Sequence, residues 1–166
     1  MAFAQGSRSS LTYVVETSFG VTPSAPSMIS LPFNTHSLTL GKQRVQGNEI
    51  QSDRMSRVDR HGNRNVTGDI TVDLRDTDYD DFIESAFFNT FDSAGVLTIG
   101  TSQQYLTIED GAADITQFRQ FTGIGVSTMS VSIAPNQMVT TTFGVIGKDL
   151  TQTGTSLDAT PTAPSG

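Results

Sequence analysis

The chain's only imidazoles are His36 and His61, and neither is set for catalysis. His61 follows Asp59 and Arg60. On an extended chain successive side chains point apart, so Asp59 does not become an orienting partner for His61 by proximity alone. His36 falls on an expected strand and reads as structural. There is no cysteine, so a thiolate nucleophile, a disulfide and a thiol-held metal are excluded. The acidic run Asp76–Asp81, "DTDYDD", places carboxylates at alternate positions as a calcium loop does. A calcium loop needs glycine at its sixth place and glutamate at its twelfth, where this chain has Asp81 and Phe87. A capped helix start explains the run better. Gly123–Gly125, "GIG", lacks the βα crossover of a dinucleotide site. Asn65–Thr67 is a formal glycosylation sequon, without a secretory signal to give it use. No carboxylate pair stands out for glycoside cleavage. The reading is of a protein with no catalytic residue, no cofactor and no metal.

The arginines are the remaining anomaly. Between Lys42 and Arg64 lie six of the ten basic residues. Arg54, Arg57, Arg60 and Arg64 recur every three or four residues, beside Asp53 and Asp59. A solvated loop is one reading. A nucleic-acid patch is a second, although no aromatic lies among these residues to stack a base. Subunit contact is the third. Arginine pairs with carboxylates in a bidentate way, and Asp69, Asp73, Asp76, Asp78, Asp80, Asp81 and Glu84 form an acidic block to receive it. Such a contact between copies is heterologous, so it closes into rings or runs on as filaments.

The elements that carry these residues are mainly strands. A length of 166 residues suits one domain. The 36% hydrophobic and 16% charged content leaves room for Ser, Thr, Gly, Gln and Asn, which favour strands and turns. A net charge of −7 argues against wrapping nucleic acid, because duplex binding is driven by Lys and Arg displacing counterions. No apolar run approaches the ~20 residues that span a bilayer, and the N-terminus has no apolar signal core. Residues 1–32 read as an N-terminal arm and a Pro-punctuated entry segment lying over the body. Residues 33–150 read as the body, and 151–166 as a flexible, Thr/Ser/Pro/Gly-rich tail or linker. Within the body, Phe33–Val45 reads as a strand and Asn48–Asn65 as a long excursion. Gly62 would let that loop reverse. Asn65–Arg75 reads as a half-buried strand with Val66, Ile70, Val72 and Leu74 on its core face and Thr67, Asp69, Thr71 and Asp73 opposite. Gly68 would mark the strand's entry or a bulge. A helix is expected over 77–90, capped by Thr77, with Tyr79, Phe82, Ile83, Ala86 and Phe87 as its apolar stripe. Further strands follow, including Met129, Val131 and Ile133 alternating with Ser130 and Ser132, and a turn at "APNQ".

The order of "ETSFGVTP" (Glu16–Pro23), "NEIQSDR" (Asn48–Arg54), "DRHGNRNVTGDI" (Asp59–Ile70), "YDDFIESAF" (Tyr79–Phe87) and the closing "VSTMSVSI…VTTTFGVIGKDL" resembles the tail tube proteins of bacteriophages with long non-contractile tails. The similarity runs over most of residues 11–150. It implies a mainly β fold, a barrel-forming β-sandwich with one flanking helix, an N-terminal arm and a stacking loop. It implies hexameric rings stacked into a hollow tube, inside the virion tail and assembled in the bacterial host cytoplasm. The implied partners are the chain itself, tail terminator and tail-tip proteins, and the tape measure protein and DNA as transient occupants of the bore, with no membrane. On this reading Glu49, Asp53, Arg54, Arg57, Asp59, Arg60 and Arg64 form the ring-to-ring contact. Thr67, Asp69, Thr71 and Asp73 are the candidate bore-facing residues, where carboxylates and hydroxyls keep DNA from sticking. The alternatives are the inner tube of a contractile tail or injection machine, and a β-sandwich receptor- or carbohydrate-binding module. The absence of Trp and the presence of three Tyr speak against the last.

Overall fold

The computed structural model describes residues 8–47 and 59–164. Its strands are β1 (Ser9–Val15), β2 (Ile29–Ser30), β3 (Thr35–His36), β4 (Thr39–Val45), β5 (Arg60–Asp73), β6 (Leu106–Ala112), β7 (Gln117–Ser132), β8 (Thr140–Gly147) and β9 (Asp149–Thr153), with a single helix α1 (Asp80–Phe87). They form one curled sheet in the order β2-β1-β6-β7-β8-β5-β3, with β4 on β5 and β9 on β7. The long strand β7 makes the curl possible. Its first half pairs with β6 and β9, and its second half with β8 after a register shift between Val126 and Thr128. A bulge of this kind bends a strand and strengthens its twist.

The core lies inside the curl. Leu11 and Tyr13 of β1, Val66, Ile70 and Val72 of β5, Leu106 and Ile108 of β6, Phe121 and Ile124 of β7, and Phe143 and Val145 of β8 are all buried there. Helix α1 closes it with Tyr79 and Phe82. The Phe82 ring meets Tyr13 edge-on at 5.0 Å and lies 5.4 Å from Phe143. Each such large side chain contributes about 1.5–3 kcal/mol by leaving water. Ser85 ties the helix to the sheet: its hydroxyl donates to the Gln104 carbonyl at 2.9 Å and accepts the Val126 N–H at 3.2 Å.

Several expectations are corrected. The helix is shorter than 77–90, and Thr77 does not cap it. Thr77 has φ 64°, and the N-cap is Tyr79, which makes no side-chain capping bond. Phe87, at the end of the expected stripe, is 37% exposed because α1 ends there, with Phe88 left-handed. The excursion expected over Asn48–Asn65 is in part strand. From Arg60 onward the chain belongs to β5 and pairs with β4, Lys42 opposite Arg64 and Val45 opposite Arg60. This end of the ribbon reaches past the core, so both of its faces meet solvent and no apolar alternation marks it. Gly62 lies in this ribbon beside its register shift, not at a reversal. Gly68 is within β5, where a Cβ would come 2.8 Å from the backbone of Leu38 as the chain passes from β3 to β4.

The ends of the chain are held more firmly than composition suggests. Within 1–32, β1 is an internal strand between β2 and β6, and Met28 and Leu31 are buried. From Thr151 onward the chain completes β9, then Leu157 N–H reaches the buried carboxylate of Glu109 at 2.8 Å. Asp158 accepts the Met28 N–H at 3.0 Å, and Thr162 forms a parallel bridge with Ile29.

Candidate functional site

Side chains alternate across a strand, so the residues between the core positions of β5, β8 and β7 share the outer face of the sheet. Antiparallel register aligns them in rows. Asp73 stands opposite Thr140, which stands opposite Ser132. Thr71 meets Thr142 and then Ser130, with Thr35 of β3 on its other side. Asp69 meets Gly144 and then Thr128. Thr67 meets Ile146 and then Gly125, with Thr39 of β4 on its other side. The rows hold hydroxyls, two carboxylates, glycines and the half-exposed Ile146, and no Lys or Arg stands in them. The face is pinned by its own bonds: Thr71 Oγ1 and Thr142 Oγ1 are 3.2 Å apart, Asn34 Nδ2 donates to Asp73 at 2.8 Å, and the Asp69 N–H donates to Ser37 Oγ at 2.9 Å.

Thr67, Asp69, Thr71 and Asp73 are therefore brought together on one surface that points away from the core, and Thr67 and Asp69 are exposed. Thr128, Ser130, Ser132, Thr140 and Thr142 complete it. The alternation of serines with Met129 and Val131 was the sequence signal for the β7 part; the β8 part, a run of threonines, carries none.

This four-strand stretch has two open edges among the described residues. On β7, the side of Ser127–Ser132 away from β8 has no strand beside it among the described residues, because pairing with β6 ends at Leu106 opposite Ile124. At the other end β3 and β4 pair only with β5.

Of the expected contact residues, Glu49, Asp53, Arg54 and Arg57 lie outside the described residues. Arg60 and Arg64 are exposed on β5. Asp59 forms an ion pair with Arg44, and Arg64 one with Asp149 at 3.2 Å, so both are engaged within the chain. The acidic block is also partly used internally. Asp78 is buried, and Asp81 is hydrogen-bonded to Tyr13. Burial pushes the Asp81 carboxyl above its ordinary range, and burial with the negative Asp76, Glu84 and Asp78 does the same to Asp80.

Among the described residues no group of three or more His, Asp or Glu could hold a metal, and no helix is long and apolar enough to cross a membrane. A rigid curled sheet with open edges and a plain polar face defines a structural β protein. The sequence profile of the phage tail tube protein family matches residues 6–166, and the chain belongs to that family. It is a structural tail tube protein of virions and not an enzyme. No curated protein sequence matches it significantly. Solved structures carry the same fold. A chain of the anti-feeding prophage baseplate, 6-fold symmetrised, is 11% identical over 93% of this chain and 97% of that chain, with TM-score 0.59. The SPP1 tail tube is 11% identical over 92% and 80%, with TM-score 0.59. The tail of an empty GTA particle, refined in C6 symmetry, is 12% identical over 91% and 99%, with TM-score 0.52.

Proposed function

We propose that six copies of this chain form a ring, that rings stack into the tube of a long non-contractile tail, and that the tube conducts genomic DNA into the host. The outer face of β5, β8 and β7 lines the bore. The ring closes when the open edge of β7 in one copy pairs with the β3–β4 edge of the next, making the small sheets one continuous barrel. The observation that carries this reading is that cation-free face. A bore of hydroxyls and carboxylates offers phosphate no counter-charge, so DNA slides without the counterion release that would hold it.

The basic ribbon and the residues between β4 and β5, with Glu49, Asp53, Arg54, Arg57, Asp59, Arg60 and Arg64, supply ring-to-ring register. Tail terminator and tail-tip proteins cap the two ends, and the tape measure protein occupies the bore before DNA does. Assembly takes place in the host cytoplasm. The likeness to the anti-feeding prophage chain favours a second reading, the inner tube of a contractile tail or injection machine, which differs in needing a sheath around the same tube. Electron microscopy of the purified chain at high concentration tests the proposal. Six-fold rings or tubes are expected, and monomers under all salt conditions would overturn it.

A further inference from the structure

The two ends of the β5–β8–β7 ladder differ in shape and in charge. At one end the β7–β8 hairpin turns at Ala134–Gln137, with Asn136 left-handed. Val131 and Ile133, which continue the row of Met129, are 47% and 77% exposed, and Met138 across the turn is 63% exposed. No charged residue occurs between Arg119 and Lys148, so the hairpin itself carries no charge to guard its apolar tip. At the other end is a groove of about 440 Å³ lined by Phe19, Gln103, Tyr105, Gly123 and Ile146, which meets the last row of the outer face at Thr67 and Gly125. Phe19 and Tyr105 form its aromatic wall, edge to face at 4.8 Å. Gly123 lies in its floor at φ 67°, where a Cβ would come 2.9 Å from the Phe19 ring. The Glu16 carboxylate fixes this floor by accepting the Gly123 N–H at 2.7 Å.

Charge follows the same polarity. Beside the groove's Asn65 and Gly147 stand Arg64 and Lys148, with Lys42 opposite Arg64 and Asp149 paired to it, and Lys148 Nζ lies 5.5 Å from the centre of the Phe19 ring. At the base of the tip Asp73 stands opposite Thr140, and Asp76 and Asp80 follow on the acidic turn, with Arg75 among them. Leu74 is bonded to Val139 at the start of β8, which places the acidic turn against the hairpin. An apolar tip with an acidic collar and an apolar groove with a basic collar, at opposite ends of one ladder, are complementary surfaces.

We propose that the occupant of the groove is a second copy of this chain, whose hairpin tip seats Ile133 and Met138 against Phe19, Tyr105 and Ile146. The proposal rests on the tube reading and adds to it where one ring grips the next. The contact is heterologous and open-ended, so it propagates a stack and does not stop at a dimer. Apolar burial at the centre provides the affinity, and the two collars set which end meets which.

The lack of native cysteine allows a direct trap. A chain carrying both Met138→Cys and Gln103→Cys is oxidised mildly at assembling concentrations, beside each single variant. A ladder of disulfide-linked oligomers is expected from the double variant alone. Ile133→Asp gives a second readout. It is expected to raise the concentration needed for assembly by at least about tenfold while leaving the melting temperature unchanged, since Ile133 is outside the core. Tubes without a ladder, together with normal assembly of the Ile133→Asp chain, would overturn this contact and leave the tube reading standing. A ladder without tubes would support the contact and overturn the tube. Neither ladder nor tubes would overturn both.

Discussion

Arg64 Nη1 lies 3.2 Å from Oδ1 and 3.3 Å from Oδ2 of Asp149, joining β5 to the first residue of β9. The Leu150 N–H and then Arg64 hold the Asp149 carboxyl below the usual carboxylate range. A side chain expected to reach another copy is thus engaged within its own. Arg64 is half exposed, so the pair contributes about 0–1 kcal/mol. Replacing Arg64 with Ala should therefore lower the melting temperature by no more than about 4 °C. A scanning-calorimetry loss of about 10 °C or more would instead make the ribbon part of the core.

The bore reading is tested by placing positive charge on a face that has none. Asp69 and Asp73 are two rows apart on the outer face, away from the core, so Asp69→Lys with Asp73→Lys should leave folding intact. The native tube should not retain duplex DNA at moderate salt. The doubly substituted tube should bind it, with an affinity that falls with log salt at a slope of about −0.9 for each phosphate neutralised. Fluorescence anisotropy over a salt series reads the slope. No gain in binding would mean that this face does not line the bore.

Ser85 gives a prediction about folding. It is fully buried and bridges the helix to Gln104 and Val126. Ser85→Ala leaves the Val126 N–H without its acceptor in a dry place, which costs about 1–3 kcal/mol. Urea titration should show that loss at unchanged m-value. A loss below about 0.5 kcal/mol would mean that the bulged strand re-forms the bond elsewhere.

The sequence was legible wherever one face of an element is buried and the other wet. Val66, Ile70 and Val72 alternate with Thr67, Asp69 and Thr71, and the structure keeps that division. Tyr79 and Phe82 marked the helix because both enter the core. Legibility failed where the core stops. His61–Asn65 is a strand with little to bury, and its polar sequence looks the same as a loop's. The tail after Thr151 is held through Glu109, Asp158 and backbone pairing, which composition does not reveal. Thr77 followed the rule for a cap, but the tight approach from Asp76 to Tyr79 gave it a left-handed backbone. The groove joins Phe19, Tyr105 and Ile146 from three distant parts of the chain, and no local pattern announces such a meeting.

The tail strap should respond to acid. Asp158 accepts the N–H groups of Thr160 and Met28, and these bonds hold its carboxyl below the ordinary value. Its folded pKa being depressed, its contribution is fully present above the unfolded carboxylate value of about 3.9 and is lost as pH falls through the folded one. Met28 is buried while its acceptor Asp158 is near the surface, so loosening of this amide is visible against the sheet as a reference. Hydrogen exchange should show Met28 losing protection relative to core amides such as Ile108 as the pH drops below the carboxylate range. Asp158→Asn should lessen that dependence, because the amide keeps one acceptor oxygen in place of two and does not titrate. Equal protection of Met28 in both chains across the whole range would mean that the parallel bridge of Thr162 to Ile29 holds the strap without Asp158.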